Sequence, residues 1–66
     1  MRLRINGEDK DVGEATTVAE LVASLGLAGR RVAVEHNREI LPATSWSAQR
    51  LAENDVLEIV HFVGGG

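Results

Sequence analysis

Val56-Leu57-Glu58-Ile59-Val60-His61-Phe62-Val63-Gly64-Gly65-Gly66 is the stretch on which the fold and the chemistry of this chain turn. The apolar run entered from the turn dipeptide Asn54-Asp55 predicts a strand over 56–63. Its long apolar character suits a central strand covered on one face by a helix. Alternation then sends Leu57 and Ile59 to the core, and Glu58, Val60 and Phe62 to the opposite face. The glycines that follow have no Cβ, cannot pack a core and lose the most backbone entropy on ordering. The strand is therefore expected to hand over to a thin, flexible thread, with Gly64 as the joint and the carboxylate of Gly66 at its tip. Such a thread is either a frayed end or a working group.

Working outward, Met1, Leu3 and Ile5 alternate with Arg2, Arg4 and Asn6, the period-two signature of a half-buried strand. Asn6-Gly7 is a strong hairpin signal because both residues tolerate positive φ. Lys10-Asp11-Val12 is the expected returning edge strand, its charges discouraging edge pairing with other molecules. Thr17 and Glu20 form a capping box. Val18, Leu21, Val22 and Leu25 follow at i, i+3, i+4 and i+7, one apolar stripe of a helix over 17–25. Gly26 suits a left-handed stop, and Leu27 the hydrophobic contact that accompanies it. Val32-Ala33-Val34-Glu35-His36 reads as a third strand with a turn at Asn37. Ile40-Leu41 is a short strand halted by Pro42. Residues 44–50 are expected to be irregular or a single helical turn, with Trp46 plugging the corner.

Hairpin, helix, strand, short strand and final strand admit few connections. The helix crosses from the hairpin to the third strand, and the last strand inserts beside the first. The result is an α+β, β-grasp (ubiquitin-like) mixed sheet of four to five strands with one main helix on one face. Leu3, Ile5, Leu21, Leu25, Leu57 and Ile59 are the expected core, residues 1–63 the domain and residues 64–66 its tail. In so small a protein no second helix covers the outer face of the sheet. Glu58, Val60 and Phe62 are thus candidate partner-contact residues there, unless Val60 and Phe62 merely finish the strand or meet the Trp46 loop.

Composition narrows the chemistry. A chain of 66 residues forms a single small core, and its 44% apolar content marks it as globular rather than disordered. With no cysteine, disulfides, thiolate metal sites and cysteine nucleophiles are excluded. A net charge of −3 with scattered arginines, one Trp, one Phe and no Tyr argues against nucleic acid. No apolar run approaches a membrane span, and the chain opens on an alternating strand rather than a signal peptide. It is expected in the cytoplasm, as a monomer when free. Glu8, Asp9, Asp11 and Glu14 form an acidic cluster, which serves solubility or meets a basic partner.

Candidate sites for autonomous catalysis are poor. His36 lies near Glu35 and Glu39, but a lone histidine beside carboxylates falls short of the three or four ligands of a metal site. No metal is expected, and His36 is read as solvated or facing a partner. Ser24, Ser45 and Ser47 lack a nucleophile-elbow context. Gly26-Leu27-Ala28-Gly29 lacks the Lys-Ser/Thr of a phosphate-binding loop. The tail remains. A carboxylate is a poor electrophile until activated, most simply as a mixed anhydride with AMP, after which a partner's nucleophile can discharge it. A terminal glycine can thread a narrow channel, and residues 63–66 extend at most about 13 Å, enough to enter a partner's cleft.

Several segments together resemble one family over essentially the whole chain. They are the hairpin-helix opening, Val32-Ala33-Val34-Glu35-His36-Asn37-Arg38-Glu39-Ile40-Leu41-Pro42 with Trp46 beyond it, the Asn54-Asp55 turn and the Gly-Gly end. They look like the thiamine sulfur carrier family, ThiS. The Gly-Gly end alone is shared with ubiquitin-like modifiers and with the small subunit of molybdopterin synthase. Compact length and the Asn37-x-x-Ile40-Leu41-Pro42…Trp46 pattern favour the thiamine branch.

The resemblance implies a non-enzymatic carrier. A ubiquitin-activating-type adenylyltransferase (ThiF-like) would consume ATP to turn the Gly66 carboxylate into an acyl-adenylate. A cysteine desulfurase would supply sulfur, leaving a thiocarboxylate on Gly66, and thiazole synthase (ThiG-like) would take that sulfur into thiazole. The chain itself would bind no cofactor. Gly65 and Gly66 carry over onto the family's tail, with Gly64 a looser match. Three other readings keep the fold: a carrier for molybdopterin or another sulfur pathway, a modifier whose tail joins a lysine, and a binding domain with an inert tail.

Overall fold

The computed structural model describes residues 1–13 and 17–62. Glu14 of the acidic cluster, Val63 and the expected tail of Gly64, Gly65 and Gly66 lie outside the described residues. The elements, in chain order, are β1 (Arg2–Ile5), β2 (Glu8–Asp11), α1 (Val18–Ser24), β3 (Val32–His36), β4 (Glu39–Leu41), a 3₁₀ turn (Ala43–Ser45) and β5 (Val56–His61). They form a five-stranded sheet in the order β2-β1-β5-β3-β4. β5 is central, parallel to β1 and antiparallel to β3. This is the expected insertion of the last strand beside the first.

Local chemistry accounts for each boundary. Asn6 and Gly7 take φ of 51° and 82°, the double left-handed turn that a two-residue hairpin needs. β2 begins at Glu8, earlier than the expected Lys10, because that tight turn brings pairing back at once, with Ile5 opposite Glu8. All of β2 is exposed, and its charged residues protect one edge of the sheet. β4, the other edge, is only three residues long and is followed by Pro42.

α1 is closed at both ends by its own sequence. The Thr17 hydroxyl accepts the Glu20 N–H at 3.2 Å, and the Glu20 carboxylate accepts the Thr17 N–H at 3.1 Å. The carbonyls of Gln49 and Trp46 take the N–H groups of Val18 and Ala19, so the 43–50 loop satisfies further first-turn amides. At the far end, the Gly26 N–H donates to Ala23 O and the Leu27 N–H to Val22 O, with Gly26 at φ 77°. That pair of bonds is the Schellman stop anticipated from Gly26-Leu27.

The core lies between α1 and one face of the sheet. It comprises Leu3, Ile5, Val18, Leu21, Val22, Val34, Leu51, Leu57 and Ile59, with Leu27 and Trp46 packed against it. Leu25 departs from expectation: it is 37% exposed. It is the C-cap residue of α1, at the very end of the apolar stripe. Leu25 instead borders an open groove with Ile5, Asn6, Leu27, Ile59 and His61. Leu51 is buried without any periodic signal in its neighbourhood. No helix among the described residues is long and apolar enough to cross a membrane.

Candidate functional site: the outer face and exit of β5

β5 is the last described strand before the glycines in sequence. On its β1 side, the Asp55 and Leu57 carbonyls accept the N–H groups of Arg4 and Asn6, each at 2.9 Å. Beyond the end of β1, the Asn6 side chain substitutes for a strand. Its Oδ1 accepts the Ile59 N–H at 2.7 Å, and its Nδ2 donates to Ile59 O at 3.1 Å. On the β3 side, pairing runs to Phe62, whose N–H donates to Arg31 O at 2.9 Å. The exit point is thereby fixed by backbone bonds up to the last described residue. Asn6 was legible as a turn residue, but its second role depends on a register that sequence does not give.

The faces of β5 divide as alternation requires. Leu57 and Ile59 are buried, while Glu58, Val60 and Phe62 are exposed. Val60 is 52% and Phe62 56% exposed, so these side chains do not find cover under the Trp46 loop. Trp46 turns toward the core and donates its indole N–H to Leu41 O at 3.0 Å. Ile40, on β4, and Val56, at the start of β5, add further exposed apolar side chains, Ile40 at 79% exposure. A shallow depression on this face is lined by Ala33, Glu35, Ile40, Glu58 and Val60. Apolar side chains of Ala33, Ile40 and Val60 thus lie together beside the carboxylates of Glu35 and Glu58.

The start of β5 is held by a polar cluster that the sequence did not announce. His36, expected to be solvated or partner-facing, is mostly buried, with Nε2 2.8 Å from Asp55 Oδ2. The same oxygen accepts the Ala52 N–H at 2.8 Å, and Asp55 Oδ1 accepts the Asn37 side-chain amide at 3.1 Å. Asn37 Oδ1 in turn accepts the Val56 N–H at 2.9 Å. An ionised Asp55 can only accept, so Nε2 of His36 carries the proton in this contact. Glu35 and Glu39, its neighbours in sequence, are exposed and make no ion pair with it. His36 is a structural fastener between the β3–β4 turn and the entry to β5.

Burial pushes the Asp55 carboxyl up, but hydrogen bonds from His36, Ala52 and Asn37 outweigh it, and the net effect lowers it from 3.8. A carboxyl lowered on folding stabilises the fold fully above its unfolded pKa, and that stabilisation is lost as the pH falls through the folded pKa. Asp55→Asn should therefore melt below the parent at neutral pH. The gap should shrink as the pH is taken below 3.8. Melting curves across that range check this; a gap independent of pH would show that the charge of Asp55 is irrelevant.

The acidic hairpin is largely matched within the chain. Asp9 lies opposite Arg4 on β1, with Arg4 Nε 3.6 Å from Asp9 Oδ1. Asp11 accepts the Gly13 N–H at 3.0 Å, a bond that leads in lowering its pKa. Glu8 and Lys10 approach to 3.9 Å. Exposed pairs such as these contribute little stability, but they leave less free acid for a basic partner to read.

Comparison with known proteins fits this arrangement. The ThiS family model matches residues 3–66. The chain is 44% identical over 68 residues to the sulfur carrier protein ThiS of Bacillus subtilis, covering 97% of this chain and 98% of that relative. It is also 46% identical over 66 residues to a thiazole synthase of Paramagnetospirillum magneticum. That match covers all of this chain but only 20% of the relative's length. The crystal structure of a thiamine biosynthesis protein (ThiS) from Geobacter metallireducens superposes over the full length of both chains, with a TM-score of 0.83 at 35% identity. With a family match spanning nearly the whole sequence and a shared five-stranded fold, this chain belongs to the ThiS family.

Proposed function

We propose that this protein is a cytoplasmic sulfur carrier for thiamine (thiazole) biosynthesis, presenting the carboxyl group of Gly66 to larger enzymes and catalysing nothing itself. The observation that carries this is the near-complete alignment with the Bacillus subtilis carrier. The central strand running into Gly64-Gly65-Gly66 agrees with it.

In this reading the Gly66 carboxylate attacks the α-phosphorus of ATP on a ThiF-like adenylyltransferase, and pyrophosphate leaves. The terminal sulfur of a persulfide made by a cysteine desulfurase then attacks the acyl carbon, and AMP leaves with the bonding pair. A thiol reductant cleaves the resulting S–S bond, and Gly66 ends as a thiocarboxylate. Thiazole synthase (ThiG-like) takes that sulfur into the ring. The chain's own contribution is geometric. Glycine at 65 and 66 lets the backbone approach the reacting phosphate without a Cβ in the way. The bonds at Ile59 and Phe62 hold the strand that precedes the glycines in sequence, and in this reading Glu58, Val60 and Phe62 form the face on which the partners dock.

The function is tested by reconstitution with ATP, the adenylyltransferase, the desulfurase and thiazole synthase. Thiazole should form only when this chain is present, and equal yield without it would overturn the proposal. For the docking face, Phe62→Asp is expected to weaken partner binding tenfold or more, about 2 kcal/mol for a central aromatic. Its effect on folding should stay near 0.5 kcal/mol, since Phe62 is 56% exposed. A large loss of thermal stability with unaltered affinity would contradict that assignment.

A further inference from the structure

The outer face contains a local conflict that folding alone does not explain. Glu58 on β5 stands directly opposite Glu35 on β3, and Glu35 directly opposite Ile40 on β4. Asn37 N–H to Val56 O and Phe62 N–H to Arg31 O fix the phase of the antiparallel ladder. In that phase Glu35 and Glu58 form a hydrogen-bonded pair, with Cα atoms about 5.5 Å apart and side chains on one face. Like charges so placed destabilise a sheet. Among the described residues, no ion pair reaches either carboxylate. The same sheet face pairs charges well elsewhere, with Asp9 opposite Arg4 and Asp11 opposite Arg2. Opposed carboxylates at the rim of an apolar depression, beside Val60 and Ile40, make a socket for a cation flanked by hydrocarbon.

We infer that Glu35 and Glu58 together receive a basic side chain of thiazole synthase when the outer face docks. The inference rests on the docking reading above and adds the chemistry of the partner's surface. Of the partners proposed, thiazole synthase is the one whose name appears among the relatives that align with this chain. A cation between the carboxylates turns their repulsion into attraction, so the pair disfavours the free protein and favours the complex. That opposition gives a signature that a merely solubilising pair would not show.

The test compares the parent, Glu35→Gln/Glu58→Gln and Phe62→Asp, measuring affinity for purified thiazole synthase calorimetrically at low and high salt, with a melting curve for each. The double variant should melt about 2–4 °C higher. It should bind roughly tenfold more weakly at low salt, with a flatter dependence on ionic strength. If it binds as tightly as the parent with the same salt dependence while Phe62→Asp has lost affinity, the cation socket is refuted and the docking face stands. If Phe62→Asp binds like the parent, the docking face itself is refuted. A parent chain that shows no binding to thiazole synthase overturns both.

Discussion

Removal of Gly66 yields a protein that melts where the intact chain does and supports no thiazole formation. The fold is expected to be indifferent because, among the described residues, the buried core and the strand ladder are complete without any contribution from Gly66. The chemistry is expected to fail for a reason of reach. Deleting one extended residue draws the terminal carboxylate back by about 3.3–3.6 Å. A displacement of about 1 Å at a reacting centre already costs on the order of a hundredfold in rate. The remaining Gly65 carboxylate is chemically equivalent, so what is lost is position alone. Reconstituted thiazole formation with the truncated chain should fall at least a hundredfold, by that same estimate. Retention of full activity would mean that the thread is not the working group.

The largest effect on stability is expected at Leu57. It is completely buried, lies on the central strand, and pairs with Ile5 on one side and His36 on the other. Leu57→Ala removes packing from α1 and from both neighbouring strands, where the surrounding backbone ladders resist collapse into the space. The cost should be about 3 kcal/mol. A chain of 66 residues has a total stability of roughly 3–10 kcal/mol to lose. The melting temperature should fall by roughly 12–24 °C, at about 4–8 °C per kcal/mol for a domain of this size. Leu25→Ala provides the contrast: at 37% exposure, it should shift the midpoint far less. Equal losses at the two positions would mean that the groove beside Leu25 is filled in solution.

What could be read in advance was what the chain decides locally. Thr17, Glu20 and Gly26 act on backbone groups within a few residues of themselves, and both ends of α1 were legible for that reason. Asn6-Gly7 likewise specified its own turn. The alternation of Leu57 and Ile59 against Glu58, Val60 and Phe62 survived intact because strand parity needs no knowledge of the partner strand. The misses all involve distance along the chain. Leu25 borders an open groove whose other walls come from β1, β2 and β5, segments distant in sequence. His36 and Asp55 are 19 residues apart and meet only through the β3–β5 register. The pairing of Asn6 with Ile59 spans 53 residues. The opposition of Glu35 and Glu58 is a fact of register in the same way, invisible until the strands are paired.

That division bears on function. The proposed tail chemistry rests on the identity of residues 64–66 and on family resemblance, because a terminal glycine needs no tertiary context to approach an activating enzyme closely. The proposed docking surface is a tertiary object, assembled from β3, β4 and β5, of which the sequence exposed only the β5 portion. Ile40 and Glu35 join Glu58, Val60 and Phe62 through pairing alone.

The most direct test of the carrier account is the intact mass of the protein after incubation with ATP, the adenylyltransferase and a sulfur donor. The account predicts a mass gain equal to the exchange of one oxygen for sulfur, located by fragmentation at Gly66 and lost on subsequent incubation with thiazole synthase. An unchanged mass, or sulfur placed anywhere other than Gly66, would contradict it.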